Sequence, residues 1–173
     1  IVPWQILCEK TGAKLIISPI SNKGELILED FKKLLSPKTK LIAISHVSNT
    51  LGTINPIEEV IKISKEYNCK ILIDAAQSVP HFGINVSKLN CDFLVFSGHK
   101  IFGPTGTGIL YVKKDRYTEM KPYQGGGDMI KEVSFEKTTF NSPPHKFEAG
   151  TPNIAGIIGL GAAIDYVNSI GIE

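Results

Sequence analysis

The sequence has 173 residues, 42% hydrophobic and 21% charged, with a formal net charge of +2. That length suits one domain with a substantial core and is too short for two large ones. Lys and Glu are interspersed rather than blocked, so charge offers no footprint for nucleic acid or an anionic membrane. No apolar run approaches the roughly 20 residues that cross a bilayer.

Cys8, Cys69 and Cys91 are widely spaced, and no C-x-x-C pair suggests a metal site. They are expected to be reduced, mostly buried thiols of a cytoplasmic protein. The chain opens at Ile1 inside a helical pattern, without a charged-then-apolar leader, and stops at Glu173 just after another helix. It is expected to be an internal piece of a longer protein.

The first segment, from Val2, reads as a helix with Pro3 in its first turn and Gly12 closing it. Lys14–Ser18 is expected to be a short buried strand ended by Pro19. Leu28, Phe31, Leu34 and Leu35 share one face of a second helix, stopped by Pro37. Leu41–Ser45 is a continuous apolar strand. A third helix is expected to start with Asn55 as cap, Pro56 in the first helical position and Glu58 answering the cap, with Ile57, Val60 and Ile61 as its buried stripe.

Lys70–Asp74, Phe93–Ser97 and Gly108–Val112 are further apolar strands. The stretch from about Lys121 to Asn153 is rich in Gly and Pro and reads mostly as loop. Ile154 to Ile170 resumes a helix, with Ile157, Leu160, Ile164 and Val167 as core candidates. Apolar strands alternating with amphipathic helices define an α/β fold, a mostly parallel sheet covered by helices on both faces.

Such sheets bind ligands at the carboxyl ends of their strands. Asn49 follows the strand at Leu41, Asp74 and Gln77 follow the strand at Ile71, and Ser97, His99 and Lys100 follow the strand at Phe93. Parallel topology puts these groups on one rim. The set suits pyridoxal phosphate (PLP). A lysine amine condenses with its aldehyde, an Asp keeps the pyridine nitrogen protonated, and Gln77 can donate to the phenolate oxygen. Ser97 and His99, with backbone N–H groups near Gly98, can hold the phosphate. Strand-end geometry alone equally suits a dinucleotide or another anion. Singly, Asp74 reads as a cap, Lys100 as a solvated charge, Gln77 as a backbone bridge, His99 as structural and Asn49 as a turn residue.

Ser97-Gly98-His99-Lys100 followed by Gly103-Pro104-Thr105-Gly106-Thr107-Gly108 resembles the cofactor-lysine segment of class V aminotransferase-like PLP enzymes of fold-type I. Within them it is similar to the Suf-type cysteine desulfurases and selenocysteine lyases. His46-Val47-Ser48-Asn49, Asp74-Ala75-Ala76-Gln77, Gly125-Gly126-Gly127-Asp128-Met129-Ile130 and Phe147-Glu148-Ala149-Gly150-Thr151-Pro152-Asn153 agree in the same order. The resemblance runs through essentially all 173 residues.

It implies that residues 1–173 are part of the PLP-binding large domain, incomplete at both ends, with the small C-terminal domain absent. Lys100 would be the Schiff-base lysine and later move substrate protons. Asp74 would pair with the pyridine nitrogen, Gln77 with the phenolic oxygen, Ser97 and His99 with the phosphate. Asn49 would sit by the ring oxygen or the substrate carboxylate. Thr151 would reach the phosphate of the neighbouring subunit in a homodimer. The Gly125–Gly127 loop would lie near the site mouth, or simply be flexible.

The implied reaction removes sulfur from L-cysteine, or selenium from L-selenocysteine. It gives alanine and an enzyme persulfide, which a sulfur-acceptor protein takes up for iron–sulfur cluster assembly. The family's nucleophilic cysteine and substrate-clamping arginine lie beyond these residues, and its ring-stacking histidine lies before them. The chain by itself is therefore expected to be inactive. A catalytically dead scaffold for a sulfur-transfer partner is the non-enzyme alternative, which Lys100 disfavours. A nicotinamide-binding domain is disfavoured because no G-x-G-x-x-G follows the first strand.

Overall fold

Four short apolar segments build one sheet, and their sequence order is also their spatial order. The computed structural model describes residues 1–172. Strands β1 (Leu41–Ser45), β2 (Lys70–Asp74) and β3 (Phe93–Ser97) run parallel, and β4 (Gly108–Val112) returns antiparallel to β3. The sheet is mostly parallel, as the alternating pattern implies. β4 reverses because only residues 98–107 separate it from β3, too few for the crossover a parallel partner needs.

Side chains alternate across the strands, so Ile42, Ile71, Ile73 and Leu94 point to one face and are buried there. Helix α3 (Ile57–Glu66) covers that face with Ile57, Val60, Ile61 and Ile63, joined by Phe31 of α2 (Leu28–Leu34). A short α4 (Val86–Leu89), capped by Asn85 accepting the Lys88 N–H at 3.0 Å, lies between β2 and β3. The other face is less covered among the described residues. Ala43 and Leu110 are exposed there, while Leu72 and Val95 are half-buried. Asp74 and Ser97 belong to this more open face, which is therefore the face of the site.

Several local expectations are corrected. Residues 14–18 form no strand among the described residues, and Ile16 and Ile17 are 51% and 61% exposed. An apolar run becomes a strand only where another edge supplies hydrogen bonds. Helix α3 begins at Ile57 with Pro56 as its cap residue. Asn55 does not cap it, because its side-chain amide donates instead to the Ser45 carbonyl at 2.8 Å.

The last helix, α5 (Ile154–Ile170), buries Gly156, Leu160, Ala163 and Val167. Of the expected core, Leu160 and Val167 hold, but Ile157 and Ile164 stay 49% and 37% exposed. The helix is apolar nearly all round, so its pattern does not choose the face. Small residues let it lie close to its neighbours.

The loop expected over 121–153 contains a hairpin, β5 (Ile130–Val133) and β6 (Thr138–Phe140), whose residues are mostly exposed. Helix α1 (Val2–Thr11) ends as expected at Gly12 in the left-handed conformation and buries no residue. Cys69 and Cys91 are buried, Cys8 is half-buried, and all three are free.

At the amino end of the sheet, a polar clip joins three strands. Asp92 accepts the Ile71 N–H at 2.9 Å and the Arg116 Nε–H at 2.7 Å. Arg116 also reaches Glu119, which pairs with Lys70 at 2.5 Å. The start of β2, the start of β3 and the segment after β4 are thereby locked at the end opposite the candidate site.

Candidate active site

The register makes the rim. Ser45 pairs with Asp74 and Asp74 with Val95, so β1 and β2 end level and β3 runs two residues further, to Ser97, at the same edge of the sheet. The loops after these strands carry Asn49, Asp74 with Gln77, and Ser97 to Lys100. The structure brings two of these loops into direct contact, because the Gln77 amide donates to Asn49 Oδ1. That contact leaves the second Gln77 N–H free and fixes which way the Asn49 amide faces.

Asp74 is exposed. One of its oxygens accepts the Ala76 N–H at 3.0 Å, closing the turn after β2. This local bond agrees with the bland reading of Asp74 as a turn acceptor, yet a carboxylate has capacity to spare. Ser78, just beyond, is fully buried and donates to the Ala75 carbonyl at 3.1 Å. It ties the Asp74–Gln77 loop into the core.

Lys100 sits in a one-turn 3-10 helix, Gly98–Ile101, that follows β3 at once. It is half-buried and makes no hydrogen bond or ion pair among the described residues. Ser97 is half-buried and His99 exposed. The Gly98 N–H donates to the Thr107 carbonyl at 2.9 Å, so this amide is already committed and is no free anion donor. Gly98 must be glycine, because a Cβ there would lie 2.1 Å from Thr107 Oγ1. Phe102 ends the turn at φ 65°, a left-handed conformation that costs a bulky residue strain.

Thr151 is exposed in the loop ahead of α5, and no hydrogen bond ties it to the rim among the described residues. Its neighbour Gly150 donates to the Gly127 carbonyl at 3.0 Å. The glycine loop and the Thr151 loop are thus joined, a contact with no sequence signal.

His46 is a residue the pattern did not single out beyond its motif. Its ring meets Phe82 edge-on, 5.1 Å between centroids, and its Nδ1 is buried without a partner among the described residues. Burial pulls its pKa below the ordinary 6.5. Burial pushes the Cys69 and Cys91 thiols up, which makes both poor thiolates. Among the described residues no helix is long and apolar enough to cross a membrane, and no group of three or more His, Cys, Asp or Glu gathers as metal ligands.

The fold is a mostly parallel α/β sheet that carries a lysine turn and a carboxylate on one rim. Comparison with known proteins then gives the family. The family model described as aminotransferase class-V matches residues 1–173. A cysteine desulfurase of Salmonella dublin is 54% identical over 174 residues, covering 100% of this chain and 43% of that protein. A probable cysteine desulfurase of Xylella fastidiosa (strain Temecula1) is 51% identical, covering 100% of this chain and 42% of that protein.

Among solved structures, the cysteine desulfurase CsdA of Escherichia coli superposes with a TM-score of 0.96 at 38% identity, over 99% of this chain and 43% of that one. The apo cysteine desulfurase of Thermococcus onnurineus NA1 gives 0.92 at 45% identity, with the same coverage. The chain belongs to the class V aminotransferase family. It spans less than half the length of the relatives it matches.

Proposed function

We propose that this chain is the cofactor-bearing part of the large domain of a cysteine desulfurase, with Lys100 as the covalent attachment point of PLP. The observation that carries this reading is the parallel register of β1, β2 and β3, whose carboxyl ends bring Asn49, Asp74, Gln77 and the Lys100 turn to one rim. The relatives named above support it. The donor set also fits the cofactor: a primary amine, a carboxylate, an amide donor, a hydroxyl and an imidazole.

PLP, when bound, supplies an electron sink that weakens the bonds at the substrate Cα. The residues of this chain do the rest. Lys100 has no competing ion pair among the described residues, so its amine is available for attachment and then for carrying the Cα proton. Asp74 keeps one oxygen to hold a proton on the pyridine nitrogen. Gln77, oriented by Asn49, donates to the phenolic oxygen. Asn49 would donate its amide N–H groups to the ring oxygen or the substrate carboxylate.

Ser97 and His99 hold the phosphate, and Thr151 reaches that of a neighbouring subunit in a homodimer. The thiolate that takes sulfur from L-cysteine is neither Cys69 nor Cys91, since both are buried with thiols pushed up by that burial. Alanine is released, and the persulfide passes to a sulfur-acceptor protein of the cytoplasm for iron–sulfur cluster assembly.

Incubating the intact protein with L-cysteine and, separately, L-selenocysteine tests this reading. Alanine is expected from L-cysteine, and sulfide with it when a thiol reductant such as dithiothreitol is supplied to reduce the persulfide. Alanine from L-selenocysteine alone reassigns the protein as a selenocysteine lyase, and alanine from neither overturns the reading.

A further inference from the structure

Lys100 has no side-chain partner among the described residues, so the placement of its amine depends on the backbone turn that carries it. That turn is closed on itself. Gly98 donates to the Thr107 carbonyl and Gly103 to the Gly98 carbonyl, both at 2.9 Å, and Thr107 Oγ1 donates to the Pro104 carbonyl at 2.7 Å. A segment bonded in this way shifts as a unit.

Helix α5 supports it. A Cβ built on Gly98 would lie 3.2 Å from Leu160 Cδ1, and one built on Gly103 would lie 2.9 Å from the same carbon. One methyl of Leu160 therefore rests between the two glycines that bracket Lys100. Leu160 itself is 2% exposed. Beside it, a Cβ on Gly159 would come within 2.7 Å of Pro104 Cγ, so the helix meets the turn there with no room to spare. Tyr166, further along α5, meets Phe102 edge-on at 5.9 Å.

We infer that Leu160 is a positioning residue for Lys100, a wedge that sets how far the 98–107 turn stands from α5, with Gly159 as the spacer that lets the helix approach. The inference rests on the reading of Lys100 as the attachment lysine. Shortening the wedge lets the turn sink. Adding a methyl at Gly159 pushes it away. Both move the amine, and a misplacement of about 1 Å at a reacting group costs about 100-fold in rate.

The intact protein with Leu160→Ala, Gly159→Ala, the conservative Leu160→Met and the distant core variant Ile63→Ala tests this. Hydrogen exchange of the 98–107 segment is followed in cofactor-free protein. In loaded protein, kcat and KM for L-cysteine and the pH midpoint of the visible imine band are measured. Leu160→Ala and Gly159→Ala are expected to exchange faster across 98–107, to shift that midpoint and to lower kcat by about tenfold or more at unchanged KM. Leu160→Met is expected to restore all three.

Wild-type exchange and an unmoved midpoint in both alanine variants overturn the inference, as does the same set of changes in Ile63→Ala. If Leu160→Ala does not fold, Gly159→Ala decides. A wild-type protein without an imine band counts against the cofactor reading alone, and the exchange comparison still decides the role of Leu160.

Discussion

His46 leaves β1 with its ring against Phe82 and a buried Nδ1 that no donor or acceptor meets. Protonating the ring would place charge where water is scarce, so the folded state holds its pKa below the ordinary 6.5. The unfolded chain then takes up the proton first as pH falls. Stability from the neutral ring is fully present above about pH 6.5 and is lost as pH drops to the folded value. Urea unfolding from about pH 7.5 down to about pH 5.5 is expected to show this loss, with a flatter profile for His46→Gln. Equal slopes in the two proteins contradict the assignment. At this scale the sequence told which polar residues follow strands, but not what they touch. Gln77 and Asn49 are 28 positions apart, and only the fold makes them neighbours.

Among the elements, β4 is held by the clip at the opposite end of the sheet from Lys100. Asp92 is 9% exposed and serves both the Ile71 N–H and Arg116. Asp92→Ala leaves a buried backbone donor unmet and removes one of the two carboxylate partners of Arg116, which keeps Glu119. The expected loss is about 2–3 kcal/mol, near the low end for a broken buried pair because the Arg116 side chain keeps 28% exposure. The denaturant midpoint measures it, and a change below about 0.5 kcal/mol contradicts the clip. The strands of this sheet were legible because their apolar runs are dense and bounded by Gly, Pro or polar residues. Residues 14–18 carry the same local signal and fail, since pairing is not a local property. The hairpin at 130–140 was illegible for the opposite reason, as its exposed strands show no apolar alternation.

At the scale of the whole molecule, parallel order could be inferred from the alternation of strands and helices, and with it the shared rim. The buried face of α5 could not, because an all-apolar helix offers several faces and the close approach of Gly159 to Pro104 selects one. Large apolar side chains remain on the surface of the described residues, among them Phe102 at 71% and Phe135 at 108%. The central claim is nevertheless local, that the turn after β3 carries the lysine to which PLP attaches. The most direct measurement is the visible absorption of the intact protein, wild type and Lys100→Ala, each supplied with PLP and then treated with borohydride. The wild type is expected to show an imine band that borohydride removes while fixing the cofactor to the peptide containing Lys100, and Lys100→Ala is expected to show neither. An undiminished band in Lys100→Ala, or reductive labelling at another lysine, would contradict the account.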